Sequence, residues 1–282
     1  MKWYIIDGSG YLFRSYYGMP TLTNAEWQHV NAMYWFFKLL LKLLYDKPSH
    51  LAVVRDAPVK TIRREQFEEY KANRSPIPDE FREQIPRIKD LCKELGFCTF
   101  EQPWYEADDI IWQLALNTSL PVVIYTADKD MKQLISNRIQ IYDPTKNIRR
   151  THEKFVEEYG FPATSFVDYL ALVWDVADNI PGIPGIWPKT AQKLICDRWS
   201  INWIYTNIHT IPKRKDKLIT YRDQLMRAHH LMTLMECTIP QPLEQCRVVI
   251  KPKLFETLHT SFPSLHNHIQ HLNTLYQQQS LF

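Results

Sequence analysis

Glycine is scarce in this chain. There are seven in 282 residues, so each one marks a place where the backbone turns tightly or is approached closely. Cysteine is scarce too. The five cysteines form no CxxC pair and no metal-type spacing, which excludes a disulfide framework and predicts reduced thiols in a reducing compartment. Cys92 and Cys98 read as packing residues. Long apolar runs are missing. The most apolar stretch, YWFFKLLLKLLY at 34–45, is interrupted by Lys38 and Lys42 and is too short to span a bilayer. MKWYIIDGSG at the start lacks the apolar core of a signal peptide, so no membrane association is expected. No charge of one sign dominates: 34 basic and 31 acidic residues leave +3, and placement matters more than the total. There is no internal repeat and no long low-complexity segment. With 45% hydrophobic residues, the chain reads as globular, with one large domain or two smaller ones.

What is present, and unusual, is the placement of acids. Glu106, Asp108, Asp109, Asp128 and Asp130 all lie beside segments that read as buried. DDIIWQLAL has the 3.6-residue period of a helix packed on a core. PVVIY at 121–125 reads as an interior parallel strand, and Asp128 falls just past its carboxyl end, where open α/β sheets place their ligands. The same pattern recurs twice: WYII at 3–6 precedes Asp7, and LAVVR at 51–55 precedes Asp56. In a parallel sheet these ends share one edge, so the carboxylates can converge. Crowded carboxylates repel, and some take up protons unless cations neutralise them. Two readings follow, a solvated helix start in which acids suit the macrodipole, or a metal site. The first accommodates Asp108 and Asp109 but not Asp128 and Asp130, which follow a buried strand. Asp7 alone would equally serve as a turn former or helix cap.

Residues 60–93 are rich in Lys and Arg, among them Lys60, Arg63, Arg64, Lys71 and Arg74, with Phe67 and Tyr70 interleaved. This suits a nucleic-acid surface, or a solvated face in which Glu65, Glu68 and Glu69 pair with the bases. SPIPDE at 75–80 breaks any helix there, and 81–96 reads as an amphipathic helix ended by Gly96. Strands are predicted at 97–100 and 138–142, with MKQLIS between TADKD and the latter as a helix. This alternation predicts an α/β fold with a mostly parallel central sheet flanked by helices. From about 151 the pattern turns helical. Gly182 and Gly185 sit in a proline-rich turn between two helices, with Pro188 in the first turn of the second. Such a turn either cradles a phosphate on its backbone N–H groups or simply connects two helices. Asp175 and Asp178 are ligands or turn residues, and Arg14 holds a phosphate or a surface carboxylate. The last forty or so residues, rich in Gln and His, read as a surface helix or loose tail.

As a set, IIDGSGYLFRSYY, RDAPVKTIRREQFEEYKANRSPIP, YEADD, TADKD and WDVADNIPGIPGIWPKTA resemble the 5′-nuclease family. That family includes the amino-terminal domain of bacterial DNA polymerase I, phage 5′-exonucleases and flap endonucleases. The resemblance runs from about residue 3 to about 240 and is nearest the polymerase-associated branch. It implies a PIN-like nuclease core over 1–160 with an arch-like segment at 71–90. A helical DNA-binding subdomain would follow over 161–240, with a helix–hairpin–helix at 175–195, and then a carboxyl-terminal extension over 241–282. It implies metal-site carboxylates at Asp7, Asp56, Glu106, Asp108, Asp109, Asp128, Asp130, Asp175 and Asp178. It places Lys71 and Arg74 at the scissile phosphate, and DNA contacts at Arg14, Arg63, Tyr70, Gly182, Gly185 and Lys189. The expected cofactors are two Mg²⁺ or Mn²⁺ ions, with K⁺ at the hairpin. The expected partners are DNA with 5′ ends, flaps or nicks, and a separate DNA polymerase. A monomer is expected, cytoplasmic and beside the nucleoid if the source is bacterial.

The chain departs from the family at Arg55, where Phe is usual, at Trp174 and Ala177, which replace Gly and Ser, and at Trp187, which replaces the hairpin's final Gly. The implied activity is metal-dependent 5′→3′ exonuclease and flap-endonuclease cleavage of DNA in replication or repair. Asp7, Asp56, Glu106, Asp108 and Asp128 would form the tighter ion site, and Asp130, Asp175 and Asp178 the second. The alternatives are a branched-DNA-binding module without catalysis and a related RNA-cutting enzyme.

Overall fold

The computed structural model describes residues 1–198, 200–211, 214–239, 243–249 and 252–277. Its β-branched and aromatic runs form one six-stranded sheet. The strands are β1 (Trp3–Asp7), β2 (His50–Val54), β3 (Cys98–Phe100), β4 (Val122–Tyr125), β5 (Ile139–Asp143) and β6 (Ile148–Arg150), in the spatial order β3-β2-β1-β4-β5-β6. The first five are parallel, and β6, which no sequence pattern announced, returns antiparallel to β5. β1 and β4 are covered on both faces, which is why they read as unbroken apolar runs.

Alternate side chains feed two cores. On one face Tyr4, Ile6, Leu51 and Val53 pack with α1 (Gly8–Tyr17), α2 (Asn31–Leu44) and, beyond the short α3 (Ile62–Gln66) and α4 (Asp79–Arg82), with α5 (Gln84–Glu94). On the other face Ile5, Val54, Val122 and Ile124 pack with α6 (Ala107–Leu116) and the helices that follow. Those are α7 (His152–Tyr159), α8 (Phe166–Leu172), α9 (Pro188–Arg198), α10 (Ile201–Thr206), α11 (Lys215–Thr220) and α12 (Arg222–Met232). The chain builds outward from β1 in both directions, through β2 on one side and β4 on the other. The β1/β4 boundary is therefore the switch point at which such sheets open a crevice.

One local expectation is revised. MKQLIS forms a 3₁₀ turn (Asp130–Leu134) rather than an α-helix. Within the arch-like segment, Phe81 is buried, stacked on Tyr16 at 4.7 Å and set edge-on to Phe13 at 5.3 Å. The tail is also docked. α13 (Pro252–Ser261) and α14 (His266–Gln277) bury Phe262, Leu265, Ile269 and Leu272 against the α2 face, and the Tyr276 hydroxyl donates to the Leu44 carbonyl at 2.9 Å. The extension also brings Cys246 Sγ to 2.8 Å from Cys98 Sγ on the edge strand β3. Among the described residues no helix is long and apolar enough to cross a membrane.

Candidate active site

The carboxyl ends of β1, β2 and β4 open onto a cleft of about 480 Å³ lined by Asp7, Asp56, Glu106, Asp108 and Asp128, with Lys71 and Arg74 at its side. Four of these five acids are held by local devices. Asp7 caps α1, accepting from Gly10 N–H at 2.8 Å, and also accepts from the Thr126 hydroxyl at 2.8 Å. A side chain at position 10 would put its Cβ 2.4 Å from Asp7 Oδ2, so only glycine leaves this carboxylate in place. Asp56 accepts from Ala107 N–H at 2.8 Å and so ties the end of β2 to the start of α6. Thr126 also accepts from Asp128 N–H, and Asp128 in turn accepts from Asp130 N–H, at 2.9 and 2.8 Å. Glu106, buried, accepts from the Tyr70 hydroxyl at 2.9 Å, Lys71 Nζ at 3.0 Å and Arg63 Nη1 at 3.3 Å.

The cleft is poor in cations for its acid content. Burial, with repulsion from Asp128 and Asp56, pushes the Asp7 carboxyl up to about 6 in spite of its two hydrogen bonds. Burial and the charges of Asp128 and Asp7 hold Asp108 well above the carboxylate range. Asp128 is raised as well, by burial and by Asp178 and Asp175. Lys71 is the exception. Burial disfavours its charge, but Tyr70, Glu106 and Asp178 more than offset that and raise its pKa. Its backbone takes φ 56°, an uncommon region for a residue with a side chain, and its N–H is fixed to the Asp178 carbonyl at 3.0 Å.

A second group adjoins the first. Asp130, Asp175 and Asp178 each present a carboxylate oxygen, all within 4.8 Å of one another. Asp130 Oδ1 is buried with no hydrogen-bond partner, and burial with the Asp128 and Asp175 charges raises its pKa well above normal. Asp175 and Ile180 exchange backbone hydrogen bonds of 2.9 Å, which close the turn that presents Asp178. Lys129 lies 3.1 Å from Asp175, Arg74 2.5 Å from Asp178, and Lys71 3.7 Å from Asp178.

Other expected site residues are placed elsewhere. Asp109 is fully buried and grips the Arg63 guanidinium with both oxygens at 2.7 Å; it also accepts from Glu106 N–H and Met235 N–H. Arg63, also buried, gives its remaining donors to the Leu231 and Thr233 carbonyls. Each therefore has its charge answered inside the protein, so Asp109 is not free to hold an ion, nor Arg63 a phosphate. Tyr70 is buried and orients Glu106 rather than facing a ligand. Arg14 lies apart from the acids, in a separate pocket with Lys38, Lys42 and Trp35.

At the hairpin, Gly182 packs so closely that a Cβ would lie 2.3 Å from the Val173 carbonyl carbon, and Gly185 takes φ +79°. Lys189 is exposed in the first turn of α9. At the loop expected to hold K⁺ each carbonyl keeps a second lone pair, but the Lys217 ammonium already sits against it. The carbonyls of residues 180–184 already accept hydrogen bonds: Ile180 from Asp175 N–H, Pro181 and Gly182 from Gln224, Ile183 from Ile186 N–H, and Pro184 from the Lys217 ammonium at 3.1 Å. Sequence reasoning missed Thr126 and Lys129. Both stand inside the TADKD motif, whose acids drew attention away from the residues that hold them.

An acid-lined crevice at the switch point of a mostly parallel sheet, with a helical hairpin at its side, defines an α/β protein with a candidate metal centre. The family comparison makes this specific. The 5′-3′ exonuclease amino-terminal, resolvase-like domain matches residues 2–160, and the 5′-3′ exonuclease carboxyl-terminal SAM fold matches residues 161–254. The chain belongs to the 5′-3′ exonuclease family and is a nuclease. It is 39% identical to the 5′-3′ exonuclease of Aquifex aeolicus over 208 residues, 72% of each chain. It is 37% identical to DNA polymerase I of Caldicellulosiruptor bescii over 251 residues, 85% of this chain and 29% of that protein. The chain thus spans less than a third of that polymerase. The fold is that of bacteriophage T5 5′-exonuclease with bound zinc (TM-score 0.70, 19% identity, 97% and 99% of the two chains). It is also that of the Rad2 catalytic core in complex with DNA (TM-score 0.62, 16% identity, 96% and 91%).

Proposed function

We propose that this chain hydrolyses phosphodiester bonds of DNA at 5′ ends and 5′ flaps, with divalent ions held between its two acid groups. The observation that carries this is a charge imbalance. Eight carboxylates (Asp7, Asp56, Glu106, Asp108, Asp128, Asp130, Asp175 and Asp178) converge, and among the described residues only Lys71, Arg74, Lys129 and the buried Arg63 are ion-paired with them. All the donors are hard oxygens, which fit Mg²⁺ or Mn²⁺, and the partnerless Asp130 Oδ1 is a coordination position that no protein donor fills. Ions held there would supply Lewis acidity, lowering the pKa of water and neutralising the leaving oxygen.

The chain's own residues do the rest. Tyr70 and Arg63 fix the direction of Glu106, while Gly10 and Thr126 fix that of Asp7. Lys71 and Arg74 stand at the rim, where a scissile phosphate would enter, and present charge to it as it becomes more negative. At the hairpin, the α9 amino terminus and Lys189 would track a duplex backbone without reading bases.

The test is cleavage of end-labelled flap, nicked and single-stranded DNA, with an RNA flap in parallel, in Mg²⁺ and in EDTA. Mg²⁺-dependent cutting of the flap or nicked DNA is expected. Intact substrates at saturating Mg²⁺ would leave only the binding-module reading, and preferential RNA cleavage would favour the RNA-cutting one.

A further inference from the structure

Two exposed tryptophans stand outside the acid cleft. Trp174 and Trp187 line a cleft of about 460 Å³ that is separate from the acid cleft. They are 59% and 74% exposed, and Val176 beside them is 71% exposed. Among the described residues neither indole N–H has a hydrogen-bond partner, and neither ring touches another aromatic ring. Large apolar groups standing in water around one cleft mark a binding surface rather than a leak from the core. The stems of both rings are rigid. The Trp174 backbone is pinned under Gly182, where an added Cβ would lie 2.5 Å from Trp174 N, and Ile183 N–H donates to the Leu172 carbonyl at 3.1 Å. Trp187 stands at the mouth of α9 and accepts from Thr190 and Ala191 N–H at 2.8 and 3.0 Å.

The charge around the cleft limits what it takes. Its lining includes Lys129 and Lys132 and no carboxylate. Lys132 is engaged with the Tyr159 hydroxyl at 2.7 Å. Lys129 reaches from the cleft to Asp175, at 3.1 Å, and so joins it to the second acid group. Aromatic walls, an apolar floor of Val173 and Ile183, and a cation at the end nearest the acids match a nucleotide: a base for the rings and a phosphate for the lysine. We propose that this cleft takes an unpaired nucleobase of the DNA strand, stacked on Trp174 and Trp187, with its phosphate directed to Lys129.

The inference rests on the DNA-cleaving reading but is tested without cleavage. Dissociation constants would be measured in EDTA for three DNAs: a 5′-flap substrate, the same substrate with abasic sites through its single-stranded arm, and a fully paired duplex. The proteins would be the wild type, W174A/W187A and W174F/W187F. Both side chains are exposed, so the variants should melt with the wild type, and circular dichroism would check this. Removing the bases should weaken wild-type binding about tenfold. W174A/W187A should bind base-bearing and abasic arms alike, losing clearly more affinity for the flap than for the duplex that the adjoining α9 amino terminus contacts, and the Phe variant should keep most of the discrimination. Equal wild-type affinity for the two arms, or discrimination that survives in W174A/W187A, would overturn the proposal. So would an equal loss for flap and duplex, which would make the tryptophans a duplex grip. If base discrimination is present but Mg²⁺ brings no cleavage, the cleavage reading fails and the stacking site stands.

Discussion

Asp108 and Asp109 are neighbours in the chain and opposites in the structure. Asp108 faces a cleft shared with four other acids and is held well above its usual pKa by burial and by Asp128 and Asp7. Asp109, one residue on, is fully buried in a two-pronged ion pair with Arg63 and has a donor at every available position. The first region concentrates negative charge that the protein leaves largely unanswered, and the second answers its charge completely. An acid whose partner is built in contributes to stability, and an acid left waiting contributes to function.

The strongest way to break this contrast is to neutralise one acid of the open group. Asp128→Asn should lower flap cleavage about a thousandfold, a loss of roughly 4 kcal/mol of transition-state stabilisation, with DNA binding retained and the melting temperature unchanged or higher. A fluorescence-anisotropy titration beside the cleavage assay would check it. A variant that cuts at the wild-type rate would remove Asp128 from the site.

The complementary change is Asp109→Asn. It leaves the Arg63 guanidinium buried against a neutral amide. Breaking a buried pair costs about 3–5 kcal/mol, so the melting temperature should fall by roughly 10 °C. Cleavage measured well below that temperature should stay within a few-fold of wild type. A large rate loss with no thermal change would assign Asp109 to the chemistry after all.

A third experiment sharpens the comparison through pH. The folded pKa of Asp7, about 6, lies above the unfolded value of about 4. Below pH ~4 both states hold the proton and there is no penalty. As pH rises through 4 to 6 the unfolded chain gives up its proton first, so stability is lost across that window. Asp108, Asp128 and Asp130 shift in the same direction. Divalent ions need these groups deprotonated. Added Mg²⁺ or Mn²⁺ should therefore raise the melting temperature by several degrees at pH 8 and by little at pH 5. An equal shift at both pH values would mean that the ions bind elsewhere.

The smallest effect concerns a contact remote from both regions. Cys98 and Cys246 approach to 2.8 Å, and the contact with Cys246 lowers the Cys98 thiol pKa. The diazene oxidant diamide should accept two hydrogens from this pair and form one intramolecular disulfide. Peptide mapping would show it as a mass loss of about two hydrogens, absent in C246S. Cleavage should change little, because β3 is an edge strand.

Much of this was legible in the sequence because it is local. Strands that end in Asp place their acids on one sheet edge whatever the partners, and the 3.6-residue period from Glu106 marks a packed helix. Pairings across the chain are not local. Arg63 and Asp109 are 46 residues apart and Cys98 and Cys246 are 148 apart, with no pattern in either segment to announce the meeting. For Asp109, phase gave no warning: its own helix face, at Trp112 and Gln113, is only half-buried, and what buries the carboxylate is its pairing with Arg63. Ile269 and Leu272, set among Gln and His, read as tail residues because the face of α2 that they cover supplies the reason for their burial.

Lys71, Arg74 and Lys129 each rest on a carboxylate assigned to hold an ion: Glu106, Asp178 and Asp175. One ammonium or guanidinium nitrogen cannot serve an acid and a phosphate equally at the same moment. Metal loading would displace these side chains outward, where a DNA backbone can receive them, and a bound backbone would in turn leave the acids to the metal. The two ligands would then help each other by the same factor in either order. Metal titrations with and without a non-cleavable flap would measure that factor, and a value of one would show that the tethered cations play no part in it.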